Sequence, residues 1–260
     1  MRSVSLLFLI VVLLLPGVAP AGTCRVLFDQ GHGQAFTIEK EGELQLGRLA
    51  SLFRAAGCQA ESTTGVLTPS SLVEVDALII SGAFKPLAEA ELAAIGQFLH
   101  QGGRLAVMLH IAPPLSPLLG KLGVVSANGV VREGELSRLI GGEPLNFRVD
   151  NLAKHPLTDG LEFLSLYGGW PLLPEGEHVR SIASTGPTAW VDLNRDEQLS
   201  LKDAVQEFSV VVAGPVGQGE FAVFADDAIF QNRFLTDENE KLAENLVRWL
   251  MQGRAVGLQI

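Results

Sequence analysis

Between Cys24 and Leu109 the chain alternates short apolar runs with stretches of helical periodicity, and that alternation most limits what it can fold into. Residues 25–28, 58–62, 77–80 and 104–109 read as strands. Between them, Leu44, Leu49, Leu52 and Phe53 recur at helical spacing up to Gly57, and residues 88–100 carry Leu92, Ile95 and Leu99 on one side before Gly102-Gly103. Strands joined through helices must run parallel, because a parallel pair needs a long crossover and not a tight turn. The expected fold is therefore α/β, a doubly wound and mostly parallel sheet of the flavodoxin-like kind.

The middle of the chain, residues 111–190, is broken by Pro113-Pro114, Pro117, Gly141-Gly142 and Gly168-Gly169 and reads as an irregular β-rich insertion. Short strand signals stand at 124–125, 146–149 and 179–183. Regularity returns with a strand pair at 208–213 and 221–225 and a helix spanning 237–251, whose Leu242, Leu246, Trp249 and Leu250 share one face.

Four segments, VLFDQGHGQAF, GGRLAVMLHIAPPLSPLLGKLGV, KHPLTDGL and FAVFADDAIFQNRFL, carry a resemblance that spans most of the chain. The chain resembles an exported bacterial family of unknown function in the class I glutamine amidotransferase-like superfamily. It is similar, more distantly, to ThuA-like proteins and to the amidotransferase-like domain of an intraflagellar-transport subunit. The resemblance implies the amidotransferase-like sheet and leaves activity open, since a fold does not fix a function.

Ligands of open α/β sheets sit beyond the carboxyl ends of the strands. Asp29, His32 and Gln34 follow the first strand, Ser81 the third, His110 the fourth, and Asp226-Asp227 a late strand; all but Asp227 are taken as candidate ligand-binding residues. His32, between Gly31 and Gly33, is expected to present an exposed ring. Bland readings stand beside these: Asp29 and Asp226-Asp227 as turn caps, His110 as a hydrogen-bonded buried histidine, and Tyr167, Trp170 and Trp190 as core or rim in place of a sugar platform. An amidotransferase needs a nucleophilic Cys on the turn after a central strand. That turn reads His110-Ile111-Ala112, and both cysteines begin strands, so no catalytic residue is assigned.

Residues 192–203 resemble an EF-hand calcium loop of the dockerin type. Oxygen-bearing Asp192, Asn194, Asp196, Ser200 and Asp203 fall at loop positions 1, 3, 5, 9 and 12, and Gln198 at position 7 would offer its carbonyl. Leu199 is expected to tie the loop to a core. Glu197 stands at position 6, where glycine usually supplies a positive φ. The alternative is an acidic surface loop opening a short helix over 200–207, capped by Ser200.

Arg2, the apolar run 6–15 and Ala19-Pro20-Ala21 form an export signal with cleavage expected before Gly22, leaving residues 22–260 as one α/β domain. The apolar run is short for a bilayer span, so membrane attachment arises only if this segment is retained. Loss of Arg2 leaves 18 of 19 basic residues against 29 acidic ones, a net charge of −11, which excludes a nucleic-acid face. A periplasmic or secreted location permits a Cys24–Cys58 disulfide if the first two strands are parallel neighbours; two free buried thiols are the alternative. The readings that follow are an exported, non-catalytic module braced by Ca²⁺ that binds a small molecule, a glycan or an envelope protein; a hydrolase without a covalent nucleophile using Asp29, His32, His110 or Asp226; or an envelope scaffold with a vestigial cleft.

Overall fold

The computed structural model describes residues 24–252 other than Arg195, so the expected export signal lies outside the described residues. Five strands form the parallel part of the main sheet. They are β1 (Arg25–Asp29), β2 (Gln59–Thr63), β3 (Ala77–Ser81), β4 (Arg104–Met108) and, far along the chain, β16 (Gly219–Phe224). Helices α1 (Gly47–Ala55), α2 (Pro69–Leu72) and α3 (Glu89–His100) connect the first four. Their order, β2-β1-β3-β4-β16, is the flavodoxin-like order with its direction of winding switching between β1 and β3. Right-handed crossovers then put α1 on one face and α2 and α3 on the other. The final helix α5 (Asp237–Met251) packs beside α1, and α2 packs beside α3.

Strands β3, β4 and β16 are covered on both faces, which explains their unbroken apolar sequences. Leu78, Ile79, Ile80, Leu105, Ala106, Val107, Phe224 and Val223 are fully buried. At the opposite end from the candidate residues, Cys24 and Cys58 are joined in a disulfide with Cα atoms 4.5 Å apart. This pins the start of β1 to the start of β2, its parallel neighbour.

The insertion supplies α4 (Ser116–Lys121), β5 (Val124–Ser126), β6 (Val131–Arg132), β7 (Leu139–Ile140), β8 (Glu143–Val149), β9 (Asn151–Leu152), β10 (Leu164–Tyr167), β11 (Leu172–Pro174), β12 (Arg180–Ser184), β13 (Trp190–Val191) and β14 (Ala204–Val205). Strand β15 (Ser209–Val216) lies antiparallel to β16 and carries β11, β5, β12 and β9 onward as an antiparallel extension of the main sheet. Two three-stranded sheets, β10-β8-β7 and β14-β13-β6, stand beside it. Buried Asn239 and Asn245 fasten α5 to the insertion: Asn239 pairs with both backbone groups of Ser165, and Asn245 Nδ2 donates to the carbonyls of Leu157 and Asp159.

Two local expectations fail here. Residues 200–207 form no helix. The Asp203 carboxylate accepts from the Ser200 N–H, the Ser200 hydroxyl and the Leu193 N–H, so side-chain bonds replace the helical ladder, and β14 follows. Leu199 reaches no core; it is 56% exposed.

Candidate functional site

The strand ends hold two polar clusters of different character. The first sits at the switch point. Asp29 closes β1, and its carboxylate accepts from Gly31 N–H at 3.1 Å, from Gln34 Nε2 at 2.7 Å and from His32 Nδ1 at 2.8 Å. The other ring nitrogen, Nε2, lies 3.1 Å from Glu91 Oε2. Glu91 in turn accepts from the N–H groups of Ala88 and Leu67, both at 2.9 Å, so it starts α3 and ties down the chain after β2. Gly33, at φ +78°, lets the loop fold back so that the His32 carbonyl accepts from Phe84 and Lys85.

His32 is thus clamped between two carboxylates and buried, contrary to the exposed ring expected from its glycine neighbours. The hydrogen bond to Asp29, opposed by burial and assisted by Glu91, lifts it from 6.5 to about 9. Burial pushes the Glu91 carboxyl upward, but the Ala88 and Leu67 N–H groups and the His32 ring outweigh this and hold it below the usual carboxylate range. Asp29, His32 and Gln34 have spent their polar atoms on one another, on Glu91 and on the backbone. They form a closed latch between β1 and α3, not an open surface.

The second cluster follows β4 and β16. His110 stands on the turn that follows β4. Its Nδ1 lies 3.1 Å from Asp227 Oδ1, and the ring, 38% exposed, packs between Phe36 and Phe84 at centroid distances of 5.3 and 5.1 Å. The bond to Asp227 raises the imidazole's pKa against the opposing effect of burial. The indole Nε1 of Trp170 donates to the His110 carbonyl at 3.0 Å and holds the turn. Behind the dyad, Asp226 accepts from the N–H groups of Tyr167 and Ala228 at 2.6 and 2.9 Å. Burial, then the Asp227 charge, pushes Asp226 up to about 7. The Ser81 hydroxyl and Asp227 Oδ2 are buried with no hydrogen-bond partner among the described residues. Gly82, at φ +61°, makes room for that carboxylate, since a Cβ there would lie 2.5 Å from Asp227 Oδ2.

Of the residues expected to bind ligand, then, His110 alone opens to solvent; Asp226 and Ser81 are buried beneath it and Asp29, His32 and Gln34 beside it. Sequence reading missed Glu91, Phe36 and Phe84. Glu91 carries a signal: it is in helical phase with Ile95 and Phe98, on the buried stripe of α3. Trp170 also lines a cleft of about 300 Å³ together with Asn128, Arg132, Asp192 and Glu197. Trp190 is core, and Tyr167 stacks on Phe234.

That cleft meets the 192–203 loop. Glu197 takes φ +61°, the backbone conformation that glycine supplies at the sixth position of an EF-hand loop, and Asp192 accepts from the Asp196 and Glu197 N–H groups. The turn therefore fits, but the ligand set does not close. Asp196 and Asp203 bond to neighbouring backbone and side-chain donors, and among the described residues no group of three His, Cys, Asp or Glu converges as a metal cage.

The profile of a domain of unknown function (DUF4350) matches residues 43–247. The chain belongs to the DUF4350 family. No curated protein matches it. Among solved structures, this DUF4350 chain is similar to the mmIFT52 N-terminal domain, with a TM-score of 0.69 and 18% identity over 90% of this chain and 100% of that one. It is also similar to a ThuA-like protein from Bacteroides uniformis (TM-score 0.51, 17% identity, 90% and 94% covered). A cytoplasmic protein of Salmonella typhimurium gives 0.59 at 14% identity, with 87% and 99% covered. At these identities the likeness shows that the DUF4350 chain shares their fold, and the chemistry must be argued from its own side chains. No helix among the described residues is long and apolar enough to cross a membrane.

Proposed function

We propose that this chain is an exported, non-catalytic binding module that holds a small ligand at His110. One observation carries the reading. His110 offers a solvent-facing ring edge between two aromatic side chains, and among the described residues no serine, threonine or cysteine side chain is hydrogen-bonded to it. The buried Asp227 carboxylate accepts from Nδ1 and favours the protonated ring, in which Nε2 is an outward N–H donor, so the site suits a ligand with a hydrogen-bond acceptor, such as a carboxylate, beside a flat apolar body. Calorimetry with benzoate and phenylacetate tests this. Binding by the native protein that weakens about tenfold or more in both His110→Ala and Phe84→Ala supports it. Equal binding by native protein and His110→Ala removes it.

The dyad also favours a second reading. An imidazole oriented by a carboxylate is the arrangement of a general base, which would activate water without a covalent intermediate. Turnover of chromogenic esters, amides or glycosides that disappears in His110→Ala would replace binding with hydrolysis.

In the proposed module the 192–203 loop takes calcium. Its support is the turn at Glu197, and its cost is that Asp196 and Asp203 must rotate inward from their present partners. Affinity then falls in the weak extracellular range, about 10⁻⁴–10⁻³ M. Calcium titration of metal-stripped protein checks this, and undiminished binding by Asp192→Ala refutes it. Export is tested by N-terminal sequencing of the protein recovered from the cell envelope or medium, with Gly22 as the expected first residue.

A further inference from the structure

The cleft of about 300 Å³ beside the 192–203 loop has the volume of a small-ligand pocket, and Arg132 is the cation that lines it. That cation is built into the insertion. Arg132 on β6 is the cross-strand partner of buried Trp190 on β13, and its guanidinium lies 5.4 Å from the centre of the Trp190 ring. Cross-strand pairing and the ring face together fix where the charge stands. The side chain is 17% exposed, yet it donates no hydrogen bond to any described residue. None of its nitrogens is both sealed from solvent and unpartnered. Its N–H donors are therefore unspent and within reach of a molecule in the cleft.

The other walls set what those donors can meet. Glu197 Oε1 lies 3.9 Å from Arg132 Nη2, too far for a hydrogen bond, and the Glu197 side chain is 81% exposed. A carboxylate on the rim attracts the guanidinium weakly and is free to swing into water. Asp192 also lines the cleft, with its carboxylate engaged by the N–H groups of Asp196 and Glu197 at 3.2 and 2.8 Å. Trp170 has spent its one polar atom, Nε1, on the His110 carbonyl, so it offers the cleft apolar ring surface.

A guanidinium stays charged at any pH the protein meets, and its planar fork of donors matches the two oxygens of a carboxylate. The charges of Asp192 and Glu197 oppose a doubly charged phosphate in the same space, and Arg132 opposes an ammonium. We infer that this cleft binds a monocarboxylate with a flat apolar body: the Arg132 fork takes the carboxylate, which displaces Glu197 from beside it, and the body lies against Trp170. The inference rests neither on the His110 site nor on calcium in the loop.

Titration of the full chain, followed by ¹⁵N-resolved NMR without added calcium, tests it. The local signals are the amides of Gly129 and Val130, which line the cleft, and the Arg132 Nε–H. The probes share one body and differ in charge: phenylacetate, phenylacetamide, phenethylamine and phenyl phosphate. Phenylacetate should shift these signals to saturation, and the other three should bind about tenfold more weakly or worse. Arg132→Lys keeps the charge and loses the fork, so phenylacetate affinity should fall about tenfold or more. Glu197→Gln removes the competing carboxylate and should raise affinity about twofold to fivefold. Both variants are checked for native circular dichroism. The assignment is overturned by the absence of a saturable shift, by equal binding of phenylacetamide, by unchanged affinity in Arg132→Lys or by no gain in Glu197→Gln. Shifts that vanish in His110→Ala but persist in Arg132→Lys overturn it too, and assign the carboxylate to the strand ends.

Discussion

His110 Nδ1 lies 3.1 Å from Asp227 Oδ1, although 117 residues separate the two in sequence. Strands β4 and β16 are parallel neighbours whose ends align, Met108 opposite Phe224, and this register delivers the imidazole and the carboxylate to one point. The pairing orients the ring and raises its pKa, with the hydrogen bond as the main cause. Asp227→Asn should therefore lower the His110 pKa toward the ordinary 6.5, as followed by NMR of the ring protons. An unchanged titration would show that Asp227 does not set the charge of His110.

Gly82 is the space that the dyad occupies. Gly82→Ala forces a β-carbon into the position-82 φ of +61° and against the Asp227 carboxylate. The expected loss is about 1–3 kcal/mol of stability, with a lowered His110 pKa as the local sign. Equal denaturation midpoints for native and variant protein would contradict this packing.

The His32 latch makes a pH prediction. Its folded pKa, about 9, lies above the ordinary value of 6.5. Protonation therefore favours the folded state. The stabilisation is complete below about pH 6.5 and is lost as the pH rises through about 9, on the order of 3 kcal/mol across that window. Urea unfolding in steps from pH 6 to 10 measures it. His32→Ala should flatten this limb and cost about 3–5 kcal/mol near neutrality, because Asp29 and Glu91 would lose the cation between them.

The disulfide closes a separation of 34 residues, for which chain entropy gives about 3–4 kcal/mol. The double variant Cys24→Ala, Cys58→Ala should unfold at lower denaturant while leaving the His110 titration unchanged, since the bridge lies at the far end of the strands. A shifted titration would mean that the bridge shapes the site.

The parallel strands and α5 were legible because burial on both faces of a sheet and on one face of a helix leaves a periodic trace. The 237–251 range read from Leu242, Leu246, Trp249 and Leu250 is that of α5. The polar groups at strand ends were legible as positions but not as pairs. His32 meets Glu91 across 59 residues, and only the order of strands in the sheet brings them together. The 192–203 loop shows the converse limit. Its oxygen spacing is local and readable, yet whether Leu199 has a core beneath it depends on distant packing, and it has none.

Strand β16 has β4 on one edge, running with it, and β15 on the other, running against it. Its last residues lead directly into Asp226 and Asp227. Mechanical load placed on the antiparallel half, for instance by a partner gripping the insertion, would reach the parallel half through this ribbon as well as through the asparagine ties to α5, and along the ribbon it would tug Asp227, which holds His110.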